Sequence, residues 1–197
     1  MLEFVFASFF LLITPGPGVL SVAGVASGFG SRAATRYLWG LCIGNLCVAM
    51  TVISGLSAIL FALPYLRQVL LVLSIFYMIY LAAKIAFSGS KVGFIKAESS
   101  PRFSDGVALQ FINPKAYLVN TLLFTGYPFW PINIIGEVTL KLVLFVAIWI
   151  PIHFAWLIAG VSLRRLDLPA TTQRLINLLM ALALLLVVAL AAVSTDL

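Results

Sequence analysis

Two short groups of residues carry the chemistry this sequence can offer. Thr14-Pro15-Gly16-Pro17-Gly18 sits inside a charge-free run from Phe4 to Ser31, and Asn113-Pro114-Lys115 interrupts an apolar stretch from Gly106 to Tyr127. Proline has no N–H to donate. In a helix, Pro15 and Pro17 therefore free the carbonyls of Leu11 and Ile13, and Pro114 frees that of Gln110. A helix broken in this way offers N–H groups and a partial positive charge at one new end, suited to a carboxylate. At the other it offers carbonyls, suited to an ammonium group or a coupled cation. Such paired breaks fit a small zwitterion.

Other polar residues cluster around the second break. Gln110, Asn113, Tyr117 and Asn120 are spaced by three, four and three, which places them on one face of a continuous helix. They read either as a solute-lining stripe or as interhelical hydrogen bonders. Lys115 can attract a carboxylate at the inner mouth or anchor the chain at the cytoplasmic surface. Asp105 can take a proton, although an Asp at this place more often caps a helix. His153 is the sole histidine. It can relay protons, or serve as a structural hydrogen bonder. Cys42 and Cys47 point about 140° apart on a helix at ~100° per residue, so they cannot bridge each other. No metal-ligand spacing and no G-x-x-x-x-G-K-[ST] loop occurs. Neither a metal nor a cofactor is expected.

These residues need elements to hold them, and composition says which. Of 197 residues, 63% are apolar and 9% are charged, and the mean hydropathy is +1.16. A soluble domain is about half apolar and about a quarter charged. So few charges cannot cover a globule in water, which excludes an ordinary cytosolic enzyme, a disordered tail and a nucleic-acid module. The partner implied is the lipid bilayer.

A spanning helix needs about 20 apolar residues. Charge-free runs suggest six spans: the Pro-broken run from Phe4 to Ser31, then Tyr37 to Leu66, Gln68 to Ala83 and beyond, Ala116 to Gly136, Leu142 to Leu163, and Leu175 to Thr195. Met1-Leu2-Glu3 has no basic flank for a signal peptide, so Leu2 to Ala26 reads as the first membrane element. Ten of the twelve Lys and Arg residues fall in the first, third and fifth loops, Lys115 among them. The positive-inside rule puts those loops in the cytoplasm and both termini outside. The net charge of +6 then follows from topology, without nucleic acid. Trp39, Tyr65, Tyr127 and Trp130 read as interfacial anchors. Gly40-x-x-x-Gly44 permits close helix contact, either within the chain or at a dimer face.

The expected fold is an all-α integral membrane protein, a single membrane domain over 1–197. Its first repeat covers about 1–87, a cytoplasmic linker about 88–105, and its second repeat about 106–197. Each half opens on a Pro-broken helix. A three-helix unit repeated once must be inverted, and inverted repeats with broken helices point to a transporter.

Several motifs resemble the LysE-type translocators, the lysine/threonine/homoserine exporter family. They are Thr14-Pro15-Gly16-Pro17-Gly18; Gly28-Phe29-Gly30-Ser31-Arg32 followed by Gly40-x-x-x-Gly44; Phe103-x-x-Gly106-x6-Asn113-Pro114-Lys115; Tyr77 to Ala86; and Arg174-Leu175-Ile176-Asn177. The resemblance implies a six-helix inner-membrane exporter of amino acids or related metabolites, coupled to ion or proton entry. By match, Pro15, Gly16, Pro17, Asn113, Pro114 and Lys115 would frame the translocation site. The chain departs from the pattern at Asn45, where many members carry Asp, and at Met180 and Ala181, where a glycine is common.

The expected function is therefore secondary export, not enzymatic catalysis, of an amino acid or derivative. Candidates for coupling are Asn45, Asp105 and His153, and a homodimer is compatible with it. A cation exporter of the same architecture would show a buried acidic cluster. A non-transporting scaffold would not need breaks in both halves. An intramembrane thiol redox enzyme would need cysteines on separate helices.

Overall fold

The computed structural model describes residues 1–14, 16–55 and 100–166 without interruption, together with individual positions between 69 and 83 and between 169 and 186. The expectations placed on Pro15, Tyr65, Asn177, Met180 and Ala181, on several loop cations and on most of the linker lie outside the described residues. Within them the fold is helical, with no strand. The continuous helices are α1 (Leu2–Ile13), α2 (Pro17–Phe29), α3 (Ser31–Ile53), α4 (Phe103–Ile112), α5 (Pro114–Thr125) and α6 (Ile134–Arg165).

Both sequence breaks are breaks in the structure. Pro17 opens α2 at a position where its missing N–H costs nothing, and Gly16 before it is extended (φ −163°, ψ 176°). The axes of α1 and α2 diverge by 48°. Asn113 alone separates α4 from α5, ending one helix and capping the next at φ −84°, ψ 105°. A single residue, Gly30, also joins α2 to α3, with φ +86°. A Cβ there is strained by conformation, and it would lie 3.4 Å from the Arg164 guanidinium. Gly30→Ala is expected to lower stability by roughly 1–3 kcal/mol, the cost of an extended positive-φ backbone that glycine alone adopts readily. Thermal unfolding in detergent measures it.

Among the described residues two helices, α3 and α6, are each long and apolar enough to cross a membrane, and α1 with α2 qualifies as a third, bent span. Two boundaries differ from the charge-free runs. Helix α3 starts at Ser31, because a helix carries Arg32 and Arg36 on its first turns without interruption, and it ends at Ile53 before Gly55 with φ +75°. Helix α6 starts well before Leu142. Asn133 Oδ1 accepts the Gly136 N–H at 2.9 Å, and the Glu137–Lys141 pair at 2.8 Å lets both charges sit inside the helix.

Small residues decide which helices meet. A Cβ on Gly40 would collide with the carbonyl oxygen of Phe103, and one on Gly106 with that of Tyr37. Farther along, Gly44 meets Val107 and Gln110, and Val48 packs with Ala116 and Tyr117. The α4–α5 pair thus lies in the groove of α3, pointing the same way. That groove, the Gly40-x-x-x-Gly44 stripe, is occupied within the chain. Helix α2 packs on α6 in the same manner: Gly18 faces His153, Gly160 faces Ala23 and Ala26, and Gly28 meets Arg164. Each broken helix is therefore held by the straight helix of the other half.

Cations close three helix ends. Lys115 Nζ donates to Thr14 O at 2.6 Å at the end of α1. Arg164 Nη1 donates to Gly28 O at 2.9 Å at the end of α2. Lys141 Nζ donates to Gly126 O at 3.0 Å beyond α5. Each places a positive charge at the negative end of a helix dipole. Cys42 is buried and Cys47 exposed, both as free thiols.

Candidate functional site

The two breaks face one cavity. Its walls are Leu11, Leu12, Thr14, Gly16, Gly18 and Val19 from the first broken helix; Gln110, Asn113, Lys115, Ala116 and Val119 from the second; and Asn45, Trp149 and His153 from the straight helices. Its empty volume, open mouth included, is about 380 Å3.

The two broken helices do not offer equivalent ends. At α5, Asn113 Oδ1 accepts the Lys115 N–H at 3.1 Å, and Asn113 O accepts the Ala116 N–H at 3.0 Å. Pro114 has no N–H, so that end is closed. At α2 no side chain caps the end, because Gly16 has none to give. Gly18 and Val19 line the cavity there. A carboxylate-compatible helix end therefore survives at the first break only.

The polar side chains are aimed inward. Gln110 is 3% exposed; its Oε1 accepts from Asn113 Nδ2 at 3.3 Å, which leaves its Nε2 facing Gly18. His153 is also 3% exposed. It stacks on Trp149 with ring centroids 3.5 Å apart and planes 13° apart. Its Nδ1 donates to Trp149 O at 2.9 Å, since a carbonyl can only accept. In the neutral ring Nε2 is then a bare acceptor, and it also faces Gly18. Asn45 lines the cavity while its Oδ1 accepts from Asn120 Nδ2 at 3.1 Å.

The residues singled out by sequence separate into groups. Gly16, Gln110, Asn113 and Lys115 line the cavity, together with Asn45 and His153. Pro17 and Pro114 open α2 and α5 but do not line it. Tyr117 and Asn120 turn toward α3 instead. Asn120 donates to Asn45 and, at 2.7 Å, to Ala116 O, and Tyr117 packs on Val48. The break at Asn113 separates Gln110 and Asn113, which line the cavity, from Tyr117 and Asn120, although Gln110 also meets α3, at Gly44. Asp105 is remote, at the start of α4. Its Oδ2 accepts the Arg102 N–H at 2.8 Å, and its backbone carbonyl accepts from Tyr77 Oη at 2.8 Å. Lys115 does not sit in a loop: the whole of α4 separates it from Arg102. Gly18, Thr14 and Trp149 complete the site. The Gly16-Pro17-Gly18 motif was the available signal for the first of them.

No family model matches the chain, and no curated protein or solved structure matches it either. Among the described residues, no group of three or more His, Cys, Asp or Glu comes together that could hold a metal ion.

Proposed function

We propose that the protein is a secondary transporter, exporting amino acids or closely related small metabolites across a bacterial inner membrane, with the cavity between the two helix breaks as its site. One observation carries this reading: both interrupted helices turn their breaks, and buried polar groups, toward the same space. In hydrocarbon, interrupted backbone is tolerated only against protein or a wet path.

The reciprocal packing supports two halves that rock about that space. Helices α3 and α4–α5 point the same way, so the chain between them must return across the bilayer. The helical positions between 69 and 83, with Leu81 buried and Tyr77 against Asp105, fit such a third span. Adding 175–195 gives six. Arg32, Arg36, Arg102, Arg164 and Arg165 fall at one end of this arrangement. The positive-inside rule makes that end cytoplasmic and both termini external. The LysE-type motifs supply the solute class. A cation exporter is not favoured, since no acid lines the cavity among the described residues.

Efflux of labelled amino acids from preloaded cells tests the site. A Cβ on Gly18 would lie 3.6 Å from His153 Nε2 and 3.7 Å from Gln110 Nε2, in ordinary contact. Gly18→Ala should therefore keep efflux, whereas Gly18→Leu, which fills the cavity, should abolish it at unchanged membrane level. Asn113→Ala, which uncaps α5, should also reduce it. Equal efflux from Gly18→Leu and the intact protein would place the pathway elsewhere.

A further inference from the structure

We propose that Lys115 sets the charge class of the solute: the cavity accepts a carboxylate-bearing solute with no net positive charge, whose carboxylate replaces the Thr14 carbonyl on the Lys115 ammonium. This rests on reading the cavity as the transport site.

Charge is the first argument. Lys115 is the only charged side chain lining the cavity among the described residues. The described carboxylates are all elsewhere. Glu3 is in the first turn of α1, Asp105 caps α4, and Glu137 is paired with Lys141. A second ammonium group on a solute would meet Lys115 without any carboxylate to balance it. A like charge in a low-dielectric site repels strongly.

The arrangement of donors is the second argument. The site of a Gly16 Cβ lies 2.8 Å from Lys115 Cδ and 3.0 Å from Nζ, so the ammonium is held beside the uncapped end of α2. The Gln110 Nε2, on a side chain 3% exposed, has no hydrogen-bond partner among the described residues and faces the same turn. A cation, a helix N-terminus and an amide donor thus converge on one place. Two carboxylate oxygens can accept from all three. The acceptors are His153 Nε2, which faces the same turn, and the Asn45 side-chain oxygen, which also accepts from Asn120; a single ammonium or hydroxyl of the solute can donate to them.

Replacement is the third argument. Lys115 Nζ spans from one broken helix to the other through the Thr14 carbonyl. A carboxylate is the stronger acceptor for an ammonium. Its arrival removes the hydrogen bond that joins the end of α1 to the start of α5. Solute binding and separation of the breaks are thereby linked in a single atom. Gly16 is required for this, since any side chain there would displace Lys115.

Counterflow into proteoliposomes tests the proposal, using the intact protein and four labelled probes: glutamine, glutamate, lysine and putrescine. The intact protein should move glutamine or glutamate at least about tenfold faster than lysine, and should not move putrescine. In Lys115→Gln the ratio of glutamine to lysine should fall toward one; in Lys115→Arg it should persist. A protein that only needs Lys115 for folding would lose all probes in proportion, without a change in that ratio. Lysine or putrescine moving as fast as glutamine in the intact protein would overturn the charge rule while leaving transport in place. An unchanged ratio in a folded Lys115→Gln would do the same. Movement of none of the four probes would overturn the transport reading, and this inference with it.

Discussion

Gly40→Ala and Gly106→Ala are each expected to destabilise the protein, although alanine is the better helix former. The added methyl group of the first would overlap the Phe103 carbonyl oxygen, and that of the second the Tyr37 carbonyl oxygen. Overpacking a filled interior costs about 1–3 kcal/mol, whereas alanine's helix propensity returns only about 1 kcal/mol. Here the obstructing atoms are backbone, which cannot rotate aside, so the upper end of that range applies. The two glycines also share one contact, because a Cβ on Gly106 would lie 3.1 Å from the Gly40 carbonyl carbon. Either substitution pushes α3 and α4 apart, so the double variant should lose less than the sum of the singles. Gly44→Ala, whose nearest obstacle is Val107 O at 2.9 Å, should lose less than Gly40→Ala. Unfolding midpoints in detergent, followed by tryptophan fluorescence, order the variants. A stabilised Gly40→Ala would show that α3 and α4 do not meet at this distance.

Glu137→Gln is expected to be among the most damaging single substitutions outside the cavity. Lys141 is 2% exposed, and its ammonium lies 5.7 Å and 5.6 Å from the ring centres of Phe4 and Phe129. The Glu137 carboxylate neutralises it and also accepts the backbone N–H groups of Phe129 and Trp130. Removing the negative charge leaves an ammonium buried among aromatic rings, with Gly126 O as its one further acceptor among the described residues. Losing one partner of such a pair is far worse than losing both. Lys141→Met introduced into Glu137→Gln should therefore raise the unfolding midpoint above that of Glu137→Gln alone. Additive losses, with the double variant the least stable of the three, would mean that the pair does not compensate a buried charge.

The residues differ in how far the sequence reveals their place. Pro17 and Pro114 begin helices where a missing N–H is harmless, so the breaks could be read directly from residue type. The apolar composition likewise announces helices suited to a membrane. Contacts between elements are less accessible. Nothing local tells Gly40 that Phe103 will fill its groove, or Lys115 that its acceptor is Thr14, 101 residues earlier in the chain. Charge also misleads when it is satisfied internally. Glu137 and Lys141 end a charge-free run on paper, yet they pair within α6. The spacing of Gln110, Asn113, Tyr117 and Asn120 assumes one continuous helix, and the break at Asn113 interrupts it. Gly16 illustrates the opposite difficulty: its role follows from lacking a side chain, which leaves one helix end open, and the matching end at Asn113 shows no such opening.

The crossed packing of the two halves has a consequence for how the protein is made. Arg164 and the Gly28 carbonyl that it caps are 136 residues apart in sequence. At about 5–20 residues per second of synthesis, the partner of α2 follows it by roughly 7–27 s. Through that interval the small-residue face of α2, with Gly18, Ala23 and Ala26, has no α6 to cover it, and α3 waits in the same way for α4. The first half cannot reach its final packing by itself, so the ribosome's pace, rather than helix insertion, sets when the cavity first exists.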